Sequence, residues 1–333
     1  MITIEEAKER LRQNFPRINA LTQGRRNWWS EDAPIRWWLC FDEYTSFLKT
    51  LESKLFELHC DIPQFYGKLT KNLMDPANFW GHAGEVYLAS WLLDHSIMIT
   101  DVEREFPYKG KHSRPDFVVV YGGDTGVIEA KTLSPSAQAW REANVSDCLI
   151  YLLNDITTSL PVGLDLESVP DDWATLNTFL DEVTQLIKTS SNWQVGTSIT
   201  LSSARFRMRE RYQPIGYPDW QRLGPSGFIN LAIANIENLY DELSYKKQQV
   251  GGHAGYNCVF VDTSWDPCLS MKTLFQDWPA QWFKNHDREG IVTAILTAGI
   301  DRRTGRLVTP VYWENPRARV PQGELGNKIA EVS

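Results

Sequence analysis

The sequence predicts an α/β protein in which a mixed central sheet is flanked by helices. Three observations predict this class. Apolar residues recur at helical spacing through residues 1–75 and in the segment that follows. Short β-rich runs separated by turn signals then replace the helical pattern. A second long amphipathic helix leads into a further apolar strand, Tyr256–Asp262, as expected when a helix crosses over a sheet.

The composition bounds the class of protein. The 333 residues are 42% hydrophobic and 23% charged, which excludes a largely disordered chain. No apolar run approaches the roughly 20 residues that a membrane-spanning helix needs, and the first residues carry no secretory signal. The five cysteines are scattered and odd in number, which argues against a disulfide framework or a zinc cluster. We expect a protein of the reducing cytoplasm without a membrane partner.

The N-terminal region, residues 1–75, is predicted to be helical. One apolar stripe runs from Ile4 to Phe15, and a second runs from Ile35 to Leu58. Both show the three- and four-residue spacing of an amphipathic helix. We therefore expect a helical region that precedes the sheet.

The predicted core, residues 76–262, begins with a helix over Asn78–Ser96. Three strand-like runs follow, namely Ile97–Phe106, Asp116–Tyr121 and Gly126–Leu133. The sequence Gly-Gly-Asp-Thr between the last two runs is a turn signal, so these runs are predicted to form a hairpin.

An acidic insertion interrupts this core at about residues 142–190. From Glu142 to Ile187 the chain has nine acidic residues and no Lys or Arg, and without this segment the net charge of −8 becomes +1. The total charge therefore does not exclude a nucleic-acid partner, because binding follows the local potential. Two helices are predicted here, Val145–Ile156 and Leu176–Ile187, with a loop over Pro161–Asp172 between them. The acidic insertion could also bind a basic protein partner.

The remaining elements complete the core and add a C-terminal extension. A strand over Trp193–Ser202 and a helix over Ile229–Val250 precede the strand Tyr256–Asp262. In the extension, residues 263–333, two strands are predicted over Ile291–Ala298 and Arg306–Trp313, joined by a turn.

Four charged residues form the candidate catalytic constellation: Asp116, Glu129, Lys131 and Glu85. Glu129 and Lys131 are two residues apart on one strand, so their side chains share a face of the sheet. The hairpin brings Asp116 to Glu129 if the strands splay or bulge there, and two carboxylates could then hold one hard divalent cation. A bound metal activates a water nucleophile, and a nearby ammonium stabilises charge on a phosphate.

This arrangement resembles the PD-(D/E)XK nuclease superfamily, which has the restriction-endonuclease-like fold. The matching residues are Pro115-Asp116 and Glu129-Ala130-Lys131, with Glu85 on the preceding helix. The order helix, three strands, helix, strand is similar to that of the family core. The resemblance implies a Mg²⁺-dependent endonuclease, with Mn²⁺ as a substitute, that hydrolyses phosphodiester bonds. It also implies a metal set of Asp116, Glu129 and Ala130, and Lys131 as the catalytic lysine.

The tripeptide Glu-Ala-Lys of residues 129–131 also occurs as Glu6-Ala7-Lys8. That copy lies on a predicted helix, and no Pro-Asp precedes it. The alternative interpretation of Glu129 and Lys131 is an exposed cross-strand ion pair. The apolar residues that flank them predict a largely buried strand instead, where an unpaired charge would be costly.

Basic residues are the candidates for contacts with DNA, on charge grounds alone. They comprise two residues before Asp116 and four in a basic stretch: His112, Arg114, Arg205, Arg207, Arg209 and Arg211. The acidic insertion would repel DNA unless it faces away. Restriction, defence against phage and repair all remain open as biological settings, and a homodimer is compatible with two-site cutting. The alternative function is a non-catalytic module that binds nucleic acid or protein.

Overall fold

The computed structural model describes residues 3–30, 33–40, 45–132, 162–168, 173–189, 194–202, 205–210, 225–264, 278–301, 304–308 and 310–333. The helices in these residues are α1 (Ile4–Asn14), α2 (Pro16–Thr22), α3 (Pro34–Cys40), α4 (Thr45–Asp61), α5 (Pro63–Thr70), α6 (Phe79–Asp94), α7 (Trp173–Thr189), α8 (Pro225–Val250), α9 (Trp278–His286) and α10 (Gly323–Glu331). The strands are β1 (Met98–Val102), β2 (Phe106–Tyr108), β3 (Lys111–Ser113), β4 (Phe117–Tyr121), β5 (Asp124–Thr132), β6 (Val162–Ser168), β7 (Ser198–Thr200), β8 (Arg205–Glu210), β9 (Tyr256–Asp262), β10 (Ala294–Ala298) and β11 (Val311–Glu314). The protein is therefore mixed α/β, as predicted.

The helices of region 1–75 carry clear start signals. Thr3 and Glu6 form a capping box at the start of α1, with the Glu6 amide donating to Thr3 Oγ1 at 3.2 Å. Proline occupies the first position of α2 and of α5, where its missing N–H has no helical partner to lose. Helices α3 and α4 cover the predicted helix Ile35–Leu58 apart from residues 41–44, which lie outside the described residues.

The central sheet has six strands in the described residues, in the order β1-β4-β5-β9-β10-β11. Strands β1, β4 and β5 form an antiparallel meander. Strand β9 then pairs parallel with β5, and α8 supplies the crossover that a parallel pair requires. Strand β10 pairs parallel with β9 and antiparallel with β11, so two strands of the C-terminal extension continue the same sheet. They begin later than the predicted strands Ile291–Ala298 and Arg306–Trp313, at Ala294 and Val311.

Helices cover both faces of this sheet. On one face, α6 and the N-terminal helices share a core with Ile128 and Phe260. On the other face, α8 and α9 share a core with Val127 and Val259. Because neighbouring residues of a strand point to opposite faces, these cores determine the face to which each site residue points.

The predicted core helices are confirmed, but one predicted strand divides. Asn78–Ser96 corresponds to α6, and Ile229–Val250 lies within α8. The predicted strand Ile97–Phe106 ends at Val102, because Glu103 has a positive φ of 57° and its amide turns to the Asp116 carbonyl at 3.0 Å. Phe106 instead begins β2, which pairs with β3 in a separate hairpin.

The acidic insertion and the segment that follows it each depart from the prediction at one point. Pro161–Asp172, predicted to be a loop, contains strand β6, which pairs antiparallel with β8. This pairing with a distant segment provides a ladder that the local composition does not signal. Within the predicted strand Trp193–Ser202, the described strand spans only β7. The helix predicted over Leu176–Ile187 is confirmed as α7, whereas Val145–Ile156 lies outside the described residues.

Candidate active site

The β4–β5 hairpin builds the candidate site at its open end. A two-residue turn closes the other end, where Gly122 and Gly123 both have positive φ, 61° and 94°. Such a turn matches the twist of the flanking strands, and glycine adopts it without a steric penalty. The last regular pair of the ladder is Phe117 with Ile128, so Asp116 and Glu129 come next on their strands.

Beyond that pair the two carboxylates replace the backbone ladder. The Asp116 amide donates to Glu129 Oε2 at 3.0 Å, and the Ala130 amide donates to Asp116 Oδ2 at 2.7 Å. Each strand therefore binds a side chain of its neighbour at the point where the backbone ladder ends. The Asp116 carbonyl accepts from Glu103 on the opposite side, so the backbone of Asp116 is held from both directions.

Glu129 and Lys131 point to the sheet face that α8 covers. Val127 belongs to the core on that face, and the two charged residues continue its alternation along β5. Glu129 is 3% exposed, so its charge has little contact with water. The alternative of an exposed ion pair is therefore excluded for Glu129, and the prediction of a largely buried strand is confirmed.

Helix α8 presents three polar side chains to this end of the hairpin. Lys246 Nζ contacts Glu129 Oε1, and Glu242 Oε2 lies 2.8 Å from Lys131 Nζ. Gln249 Oε1 accepts a hydrogen bond from the Arg114 amide at 3.0 Å. Residues 242, 246 and 249 are four and three apart, which puts them on one side of the helix.

Helix α6 contributes Glu85 from the other side of the sheet. Glu85 repels the carboxylates of both Asp116 and Glu129 electrostatically. Its Oε2 lies 3.3 Å from Nδ1 of His82, one turn earlier on the helix. Burial acts to lower the pKa of His82, but the hydrogen bond and charge of Glu85 outweigh it, so that the pKa is raised.

The site concentrates negative charge in a region with little water. Burial, followed by the charges of Glu129 and Glu85, raises the pKa of Asp116 well above its usual value. Burial also raises the pKa of Glu129, although Lys246 opposes the shift. In the described residues, the Asp116 and Glu129 carboxylates thus face one ammonium, that of Lys246. Lys131 is paired with Glu242, and Glu85 is paired with His82. A divalent cation would correct this imbalance of charge.

The donor chemistry fits Mg²⁺. The described part of the chain holds no group of three or more His, Cys, Asp or Glu side chains able to bind a metal ion. The carboxylates of Asp116 and Glu129 are the side chains that could bind such an ion, with the other positions taken by water or backbone oxygen. Mg²⁺ is commonly held by one or two carboxylates and keeps several waters. Ala130 binds Asp116 through its amide, and its place in the metal set stays a prediction.

The predicted DNA contacts fall in two places. Arg114 lies beside the site, where its Nε donates to the Glu103 carbonyl at 3.0 Å and its guanidinium remains exposed. His112 is exposed on β3, and its Nδ1 lies 4.0 Å from Glu105. The basic stretch forms β8 in a separate three-stranded sheet, with Arg205 exposed. The structure gives backbone positions only for Arg207 and Arg209, and Arg211 lies outside the described residues.

The sequence analysis missed Lys246, although the sequence contains a signal for it. Leu239, Leu243 and Val250 form the buried stripe of α8, at intervals of four and seven residues. Lys246 occupies the intermediate position of that stripe, where an apolar residue is the rule. A lysine there requires a buried acidic partner, and Glu129 is that partner.

No protein-family model matches the chain, and neither curated proteins nor solved structures gave a significant match. None of the described helices combines the length and hydrophobicity needed to cross a bilayer. Interpretation of the site therefore depends on the residues and geometry of this chain.

Proposed function

We propose that this protein is a Mg²⁺-dependent nuclease of the PD-(D/E)XK type that hydrolyses phosphodiester bonds, with DNA as its substrate. The observation that carries this proposal is the open end of the β4–β5 hairpin. There the Asp116 and Glu129 carboxylates each accept the backbone amide of the opposite strand. Lys131 follows on the face of Glu129, as the resemblance requires.

The topology gives independent support. The elements α6, β1, β4, β5, α8 and β9 follow one another in the order helix, three strands, helix, strand once two insertions are set aside. These insertions are the short β2–β3 hairpin before β4 and the elements β6, α7, β7 and β8 between β5 and α8. The first three of these strands form a meander, and the last is parallel to its neighbour. We therefore propose that this part of the protein is a restriction-endonuclease-like core.

Each site residue has a defined task under this proposal. Asp116 and Glu129 would hold the metal, which would neutralise charge on the phosphate and supply a water nucleophile at neutral pH. Lys131 leaves Glu242 and places its ammonium beside the phosphate, where it stabilises the charge that develops during hydrolysis. Glu85 adds negative charge, and the exposed guanidinium of Arg114 binds the backbone of the nucleic acid.

One observation favours a second candidate function. Glu129 and Lys131 are both engaged in ion pairs with α8, as in a framework that stabilises the fold. In that case the protein is a non-catalytic module that binds nucleic acid or protein. The two functions differ in whether a divalent cation binds at Asp116 and whether phosphodiester bonds are cut.

The test combines cleavage with metal binding. Supercoiled plasmid, linear single-stranded DNA and RNA are incubated with the full chain in Mg²⁺, Mn²⁺ or EDTA. Asp116→Asn removes one carboxylate charge without changing its shape, and Lys131→Met removes the ammonium. Asp61→Asn, at an exposed position on α4, is the matched control. Metal binding is measured for each protein by calorimetry.

We expect metal-dependent cutting by the wild type and by Asp61→Asn. Asp116→Asn should lose both cutting and metal binding, whereas Lys131→Met should lose cutting and still bind metal. Metal binding at Asp116 without cutting of any polymer would support the second function, and the absence of metal binding would contradict the nuclease proposal.

A further inference from the structure

The Lys246 ammonium lies against the Glu129 carboxylate of the candidate site. It contacts Glu129 Oε1, while the other oxygen of that carboxylate accepts the Asp116 amide. Both oxygens of Glu129 are therefore engaged within the protein. A cation that takes Glu129 as a ligand has to share or replace one of these two contacts.

The Asp116 amide is the less replaceable of the two partners. It belongs to a backbone that Glu103 fixes from the β1 side, whereas the Lys246 ammonium ends a flexible side chain. The Lys246 side chain is 18% exposed, so it has a path toward solvent. Electrostatic repulsion also favours displacement of the Lys246 ammonium, because an ammonium and a divalent cation beside one carboxylate repel each other.

We propose that Lys246 is the resident counter-ion of the Asp116 and Glu129 carboxylates, and that a divalent cation binds by displacing its ammonium. This inference rests on the proposed function, since it presumes metal binding at these carboxylates. Lys246 is then a positioning residue that keeps the carboxylates in place in the metal-free protein and lowers their affinity for metal. Lys131, held by Glu242, does not compete with the metal in this way.

Metal isotherms on the full chain test the displacement. Lys246→Gln keeps a hydrogen-bond donor for Glu129 but removes the charge, and Lys246→Arg keeps the charge. Mg²⁺ and Mn²⁺ should bind Lys246→Gln at least tenfold more tightly than the wild type, because close charge pairs couple at this level or more strongly. Lys246→Arg should stay within about threefold of the wild type, and so should the matched control Lys68→Gln, whose ammonium donates to the Val102 carbonyl.

A second measurement needs no variant. Acetylation of lysines in the wild type, followed by mass spectrometry, should show Lys246 protected without metal and labelled faster in saturating Mg²⁺. Lys68, which donates to the Val102 carbonyl at 2.8 Å away from the carboxylates, is the internal control.

The outcomes separate this inference from the proposed function. Equal or weaker metal binding by Lys246→Gln, with a metal-binding wild type, overturns the displacement and leaves the nuclease proposal intact. Unchanged Lys246 labelling on metal addition overturns it as well, even if the Gln variant does not fold. Failure of the wild type and every folded variant to bind metal overturns both.

Discussion

Asp262 is a buried carboxyl group at the end of β9, beside the helix that carries Glu85. It accepts hydrogen bonds from the Ser264 amide at 2.9 Å and from Thr132 Oγ1 at 3.2 Å. Burial raises its pKa from 3.8 to about 6, although these hydrogen bonds oppose the shift. The folded protein therefore binds a proton at Asp262 more tightly than the unfolded chain does.

The size of this effect follows from the two pKa values. Each unit of difference corresponds to about 1.4 kcal/mol, so Asp262 contributes about 3 kcal/mol to the free energy of unfolding when it is protonated in both states. Because the folded pKa is the higher one, this contribution is complete below pH 3.8 and is lost as the pH rises through about 6. Asp262→Asn cannot titrate, so its stability should lack this part of the pH dependence.

Urea unfolding between pH 4.5 and pH 7.5 measures the effect. The wild type should lose about 2 kcal/mol relative to Asp262→Asn across this range, most of it below pH 6.5. Subtracting the two proteins cancels the other titrating groups, and Asp61→Asn controls for the loss of an exposed carboxylate. If the difference in unfolding free energy between the wild type and Asp262→Asn does not change with pH, the reasoning is refuted. It is also refuted if the difference between the wild type and Asp61→Asn changes with pH to the same extent.

Three further predictions concern the stability of the fold and the binding of metal. In Gly84→Ala the new Cβ would lie 2.7 Å from Thr132 Oγ1, so urea unfolding should show a loss of about 1–3 kcal/mol. Gly81→Ala on the same helix meets nothing within 4 Å and should be neutral or up to about 1 kcal/mol more stable; a similar loss in both variants would contradict this. Saturating Mg²⁺ should raise the melting temperature of the wild type but not of Asp116→Asn, as scanning fluorimetry can show; an equal rise in both would exclude a metal at Asp116. Asp287→Ala leaves the amides of Ile291 and Val292 without their acceptor and should cost about 3 kcal/mol in urea unfolding, whereas a loss below about 1 kcal/mol would contradict that role.

Much of the hairpin was predictable because its determinants are local. The Gly-Gly turn and the period-two alternation together predict where the strands lie and that Glu129 and Lys131 share a face. A splay or bulge was expected where Asp116 meets Glu129, whereas the antiparallel register itself puts the two residues side by side. Their carboxylates accept the two amides beyond the last regular pair. These features depend on residues within one short segment of the chain.

Other elements could not be predicted because their partners are distant in the sequence. Strand β6 contains Gly163 and Asp165, which are poor strand formers, and it forms through its pairing with β8. The early end of β1 depends on Glu103, whose amide binds the carbonyl of Asp116 beyond a hairpin that sequence patterns did not reveal. In each case a long-range contact outweighs local preference.

The sequence by itself determined the α/β class, the main helices and strands of the core and the shared face of Glu129 and Lys131, because spacing and periodicity act within single elements. Only the tertiary structure decided which charges meet. Lys246 reaches Glu129 across 117 residues because burial of the apolar stripe of α8 holds this helix against β5 and β9. The number of carboxylates that share one ammonium is a property of that packing.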